Sequence, residues 1–422
     1  MSVPLDRLYH YLDDCVNHDL LIYGWALHGS RNLEDFGMLL DTITPEDWQN
    51  LRAKSTPQEF KSMVLRNNHA VMICHDQEPL DFNRYSFENF QNIIKKKHQK
   101  YKEAWTIKNF DRDSVIDYCA KLGLRGMTVP LNHYDRTLLL HSELRSLHVT
   151  NFEQQGYVPV YYWSHGMIAH DWFRYAEHDP ILKFNPEKIV NDFVIYNRSW
   201  AGTREYRLCF AEQIVKNGLS RHCKMSFNPY DGIHYSQHQF VNPAFQPTSF
   251  NLEDFFPTNT HTANASADYC SIDYASSGIE VVLETLFDDT RWHLTEKTLR
   301  PIACGCSFML MAAPGSLQYL RQYGFKTFSG LLDESYDTIQ NPRQRLQAVI
   351  TEMSRVAHLP QQEKTQLFVK LNQVAEHNKH HFFNSFFDRV KQEYISNMDH
   401  AITIMNQHKT GKHDRNISAL MQ

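Results

Sequence analysis

IEVVLETLFDDTRWHLTEKTLRPIACGCSFMLMA, residues 279–312, reads as strand, helix and strand in close succession. IEVVLETLF at 279–287 has the branched, apolar content and the length of a buried strand, and SFMLMA at 307–312 is a second such run. Between them Thr295–Ala303 has a helical pattern, followed by Gly305 where a helix would stop. A strand that returns through a helix to another apolar strand is a parallel unit. Continuous apolar runs, rather than alternating ones, are what a sheet covered on both faces requires. The expected class is therefore α/β.

The same alternation extends outward. DFVIYN at 192–197 is a strand candidate, and RSWAGTREYRLCFAEQIVKNGL continues it as a loop and an amphipathic helix ending near Gly218. Nearer the N-terminus HAVMIC at 69–74, Leu138–Leu140 and VPVYYW at 158–163 read as strands, with helices expected over Phe87–Tyr101 and Ser114–Leu122. EHDPILKFNPEK at 177–188 carries two prolines and turns polar, which suggests a boundary. The expected organisation is an acceptor-side domain over 1–188 and a second α/β domain over 189–365. The second holds an irregular insertion at 228–275, rich in Asn, Pro, Ser, Thr and His. Residues 366–422 read as a helical region, one of whose helices can cross back onto the first domain.

Composition narrows the class. The chain has 422 residues, of which 42% are hydrophobic, 13% aromatic and 22% charged, as in folded globular proteins. No run approaches the roughly 18 apolar residues of a membrane span. The N-terminal MSVPLDRLYHYLDDC is acidic and lacks the apolar core of a secretory signal, so a cytoplasmic location is expected. Eight cysteines include no CxxC pair, which fits free thiols in a reducing compartment and no structural zinc. A net charge of -5 supplies no general basic coat for nucleic acid, although a local basic groove can coexist with it.

Four segments carry candidate chemistry. At LTEKTLRPIACG, Thr295, Glu296 and Lys297 stand at a strand-to-helix transition, where helix amides and a lysine can face phosphate and a glutamate can accept from a ribose diol. The plain alternative is an N-cap with two solvated charges. In IYNRSWAGTREYRLCF, Arg198 follows a strand and Arg204 and Arg207 lie near the next helix start. Arginine binds phosphate through paired donors, and salt bridging is the alternative, most of all for Arg207. In HDQEP at 75–79, Asp76 or Glu78 can take a proton from an acceptor hydroxyl, or simply cap a helix. In SHGMIAHDWFR at 164–174, His165, His170 and Asp171 are candidates for substrate binding or proton transfer, beside Trp172, Phe173 and Arg174. His170 and Asp171 are poorly spaced for a metal, and none is assigned. The chain has no GxxxxGK[ST], GxGxxG or GxSxG motif, which weakens ATPase, Rossmann oxidoreductase and α/β-hydrolase assignments.

LTEKTLRPIACG resembles the donor-binding segment of GT-B glycosyltransferases, most nearly the fucosyltransferase-like enzymes, and the Arg198 segment resembles their phosphate-binding arginine element. The resemblance implies two Rossmann-like domains whose parallel sheets face a central cleft. It also implies a UDP- or GDP-linked sugar as co-substrate, with Glu296 near the ribose and Lys297 near the diphosphate, and no further cofactor. The set is also similar to glycosyltransferase-like proteins of tailed bacteriophages, some of which glycosylate hydroxymethylated bases in DNA. Modified DNA and a glycan are therefore both candidate acceptors. The expected mechanism is a single inverting displacement, with Glu78 or Asp76 as base and Lys297 with Arg198 stabilising the leaving diphosphate. A retaining reaction stays open, and the rivals are a metal-dependent phosphoesterase or nucleotide hydrolase, and a noncatalytic nucleic-acid-binding protein using Lys95–Lys97 and the aromatics near Trp172.

Overall fold

The computed structural model describes residues 20–26, 68–74, 79–80, 137–155, 157–245, 249–256 and 268–409. Asp76, Glu78, Lys95–Lys97 and the helices expected over Phe87–Tyr101 and Ser114–Leu122 lie outside them. The chain forms two compact units, one of Leu5–Ser164 with Lys391–Gln422 and the other of His165–Val390 with the first four residues.

The first unit holds a four-stranded sheet in the order β1-β2-β3-β4, formed by Leu20–Ala26, Asn68–Cys74, Thr137–His141 and Val158–Tyr161. Every pairing is parallel, as the apolar runs predict. A helix, α1 (Leu147–Gln154), connects β3 to β4, capped by the Ser146 hydroxyl. The expected strand at 158–163 ends at Tyr161, and Tyr162 and Trp163 continue into the core as loop. Helix α2 (Ser164–Trp172) starts directly after them and carries the chain into the second unit.

The second unit is built on β5 (Asn191–Asn197), α3 (Tyr206–Lys216) and β6 (Cys223–Phe227), followed by a small antiparallel hairpin of β7 (Tyr230–Asp231) and β8 (Ile233–His234). Then come α4 (Ser271–Ala275), β9 (Ser277–Leu283), α5 (Glu296–Cys304), β10 (Ser307–Met311) and α6 (Ser316–Gln322). The sheet order is β10-β9-β5-β6, again parallel throughout. Both β9 and β10 are buried along their whole lengths, as strands covered on two faces must be. The chain runs from β5 outward to β6, then back past β5 to β9 and β10, so the direction of winding reverses between β5 and β9. In open parallel sheets, that reversal opens a crevice at the carboxyl ends of the two strands.

Two expectations meet a different outcome here. The strand expected over 279–287 stops at Leu283, because the Glu284 carboxylate turns inward to take hydrogen bonds from the start of α5. The chain contacts divide at Ser164/His165, whereas a division at 188/189 was expected. Ala176 and Leu182 belong to a buried cluster with Val194, Tyr274, Cys304 and Cys306, which ties residues 165–188 to the second sheet.

In its described part, through Lys409, the C-terminal region consists of α7 (Pro342–Ala357), α8 (Gln361–His381), a single π-helical turn over Phe382–Phe386, and α9 (Phe387–Lys409). The end of α9 belongs to the first unit, where the Asn397 amide donates to the Tyr161 carbonyl at 2.9 Å. Among the described residues no helix is long and apolar enough to cross a membrane.

Helix α8 packs on β9 where Gly278 leaves room. A Cβ at Gly278 would stand 2.5 Å from the Phe368 ring, which is itself buried. Gly278→Ala should therefore cost about 1–3 kcal/mol through overpacking, read as a lower urea midpoint at unchanged slope. An unchanged midpoint would show that the helix yields freely.

Candidate functional site

The residues singled out in the segments around Arg198 and Thr295 lie on the loops leaving β5 and β9, or in the first turns of the helices that follow them; these are the strands that flank the winding reversal. Each loop is fixed by buried side chains. After β9, the Glu284 carboxylate is fully buried and accepts from the Thr285 and Thr295 amides at 3.2 and 2.9 Å. It also accepts from the Thr295 and Thr298 hydroxyls at 2.7 and 2.6 Å. Four donors on one carboxylate offset the cost of removing it from water. Their sequence spacing folds the 284–295 loop back onto its own strand. Thr295 then caps α5, its hydroxyl accepting from the Lys297 amide at 3.4 Å, while Gly305 ends the helix in the left-handed region at φ 68°.

At this helix start, Glu296 turns inward and Lys297 outward. One Glu296 oxygen lies 3.2 Å from His165 Nε2 and the other 2.9 Å from Lys297 Nζ. The His165 ring meets His293 edge-on at 5.8 Å. Lys297 Nζ also donates to the Thr295 hydroxyl at 3.1 Å. Two of its three donors are thus directed by protein groups, and the side chain stays 21% exposed while Glu296 is only 5% exposed.

After β5, three donors converge on one oxygen of Asp231: the Ser199 hydroxyl at 2.7 Å and the Trp200 and Ala201 amides at 2.9 and 2.7 Å. Burial pushes the Asp231 carboxyl up, but these hydrogen bonds and the Arg204 charge outweigh it and leave it below the usual aspartate range. Arg207 is buried in the first turn of α3. It donates to the Ser199, Leu283 and Glu284 carbonyls and so joins the two loops. Burial lowers its pKa. Tyr206 adds a 2.6 Å bond to the Glu284 carbonyl, with its phenol pushed up to about 12 by burial. The Thr203 hydroxyl reaches the Thr285 carbonyl at 3.0 Å.

The structure therefore brings together Thr295, Glu296, Lys297 and His165, which come from two separate motifs. Arg198 is exposed on the loop after β5, its carbonyl held by Asn228, and Arg204 is half-buried. Arg207 is committed to backbone carbonyls, a cross-link between loops in place of the phosphate contact considered for it. Asp171 sits in the last turn of α2, away from His165 in its first turn, and pairs with Arg174 at 3.6 Å. His170 packs against the Phe382, Phe383 and Phe387 rings, which is a core role. Among the described residues no group of three His, Cys, Asp or Glu side chains is placed to hold a metal ion.

Sequence reasoning missed Glu284, His293 and Asp231. His293 lies two residues before Thr295 in the same segment, so its proximity was readable. Glu284 resembled one more residue of an apolar strand, and Asp231 one more polar residue of the insertion.

Glu284→Ala would leave two amides and two hydroxyls without their acceptor, and should cost about 3 kcal/mol or more in urea unfolding. A loss below 1 kcal/mol would show that the loop holds without it. For Asp231 the folded pKa is depressed, so its contribution is complete above the unfolded value of about 3.9 and disappears as pH falls through the lower folded value. Asp231→Asn should accordingly flatten the acid limb of stability against pH while lowering stability at pH 7. An unchanged acid limb would contradict this. The chain matches no protein-family model, no curated protein and no solved structure at a significant level.

Proposed function

We propose that the protein is a glycosyltransferase of the GT-B type, in which the unit of His165–Val390 binds a UDP- or GDP-linked sugar and the other unit receives the acceptor. The observation that carries this is the Lys297 ammonium. Two of its donors are fixed by Thr295 and Glu296, it keeps exposure to solvent, and it stands in the first turn of the helix that follows β9, a strand at the winding reversal of a parallel sheet. A directed cation at that position suits an anionic ligand, and a nucleoside diphosphate is the anionic leaving group of sugar transfer.

The chemistry then divides simply. As the bond between the anomeric carbon and the diphosphate breaks, negative charge develops on the departing oxygen. Lys297 lies ready to stabilise it, with Arg198 and Arg204 as further cations on the neighbouring loop. The acceptor hydroxyl loses its proton to a base as its oxygen attacks the opposite face of the sugar, which inverts the configuration. Asp76 and Glu78, which follow β2 in sequence, are the proposed bases. The acceptor is a hydroxymethylated base in DNA or a glycan, and the site of action is the cytoplasm.

The test incubates the full chain with a panel of nucleotide sugars and with hydroxymethylated DNA or glycan acceptors, followed by mass analysis. The expected result is one added sugar on an acceptor with release of nucleoside diphosphate, and a loss of about 100-fold in kcat/KM for Lys297→Ala. Release of phosphate or nucleotide without an acceptor, or DNA binding indifferent to Lys297 and to nucleotide sugars, would overturn the proposal.

A further inference from the structure

Resting on the nucleotide-sugar proposal, the geometry at the start of α5 assigns a different role to Glu296 from the ribose contact that the sequence resemblance implies. We propose that Glu296 is a positioning residue, whose carboxylate sets the Lys297 ammonium and the His165 imidazole relative to each other. The two oxygens face different groups, His165 Nε2 at 3.2 Å and Lys297 Nζ at 2.9 Å. Successive helix positions point about 100° apart, so the neighbours 296 and 297 leave the helix in different directions. Here the lysine is the one turned toward solvent, at 21% exposure, and the glutamate is closed in at 5%. A ribose diol needs an acceptor it can reach, and Glu296 lies behind the ammonium.

The arrangement also explains why a buried carboxylate is kept beside a helix start. A lysine stem is flexible, and holding its ammonium in one place costs rotamer entropy that a ligand would otherwise have to supply. Glu296 and the Thr295 hydroxyl supply that restraint before the ligand arrives, and Thr295 is in turn held by Glu284. Toward the interior, the same carboxylate lies against His165 Nε2 and orients that ring beside His293. Glu296 thus transmits the order of the buried loop to the cation at the surface.

The proposal is tested by calorimetric titration of the full chain with UDP and GDP, and with their 2′,3′-dideoxy counterparts. Wild type should bind at least one nucleoside diphosphate. Glu296→Gln should weaken that binding by about tenfold, by the same factor for the dideoxy ligand, and should add nothing in a Lys297→Ala background. Glu296→Asp keeps the charge but shortens the reach. It should show the same pattern, which guards against a folding defect in the glutamine variant. A loss that disappears with the dideoxy ligand would assign Glu296 to the ribose and overturn the proposal. A loss of equal size with and without Lys297 would overturn it too. If wild type binds neither UDP nor GDP, the nucleotide-sugar proposal itself fails and this role fails with it.

Discussion

The second unit depends on one buried negative charge, the carboxylate of Glu284. Placed at the end of a fully buried strand, it has no water to turn to, and an unpaired charge there would cost several kcal/mol. Three of its four donors lie eleven to fourteen residues ahead, at Thr295 and Thr298, and the fourth is the adjacent Thr285 amide. Satisfying it fixes three things together: where β9 stops, how the 284–295 loop returns, and where α5 begins. The position of Lys297 at the surface follows from that last consequence.

The loop after β5 is held by the same physical means with opposite polarity. Backbone amides at Trp200 and Ala201 find an internal carboxylate in Asp231, and backbone carbonyls at Ser199, Leu283 and Glu284 find the Arg207 guanidinium. Apart from the β7–β8 hairpin, short 3-10 turns and α4, the insertion is irregular in its described parts, yet it is anchored. Glu205 accepts from the Val241 and Asn242 amides at 2.7 Å each and from His238 at 2.8 Å, and Glu212 accepts from the Ser249 amide at 3.1 Å. Buried carboxylates thus replace the missing ladder partners of a segment with little regular structure.

A further ionic contact sets how α5 lies on the sheet. Arg300 reaches Glu280 on β9 at 2.5 Å, with the Tyr274 hydroxyl bonded to both and the Tyr196 ring 4.4 Å beneath the guanidinium. Such a pair adds little net stability compared with apolar packing, and its worth is in register. It holds the helix in one rotational setting, which keeps Glu296 inward and Lys297 outward at its N-terminal end.

Six of the strands and the class of fold were legible in the sequence, since branched apolar runs such as DFVIYN, SFMLMA and HAVMIC suit a covered parallel sheet, whereas β1, β6 and the short hairpin strands were not read. Helix ends were legible too, because Thr295 and Gly305 act through local geometry alone. The winding order was not, for strand pairing is decided by contacts far apart in the chain. Nor could sequence show that Arg207 would spend its donors on carbonyls, or that Glu284 would leave its strand to cap a distant helix. His165 and Glu296 each stood out as candidates in separate motifs, 131 residues apart by number. Their meeting at 3.2 Å was decided by tertiary structure, because a buried charge takes whichever partner the fold brings within reach.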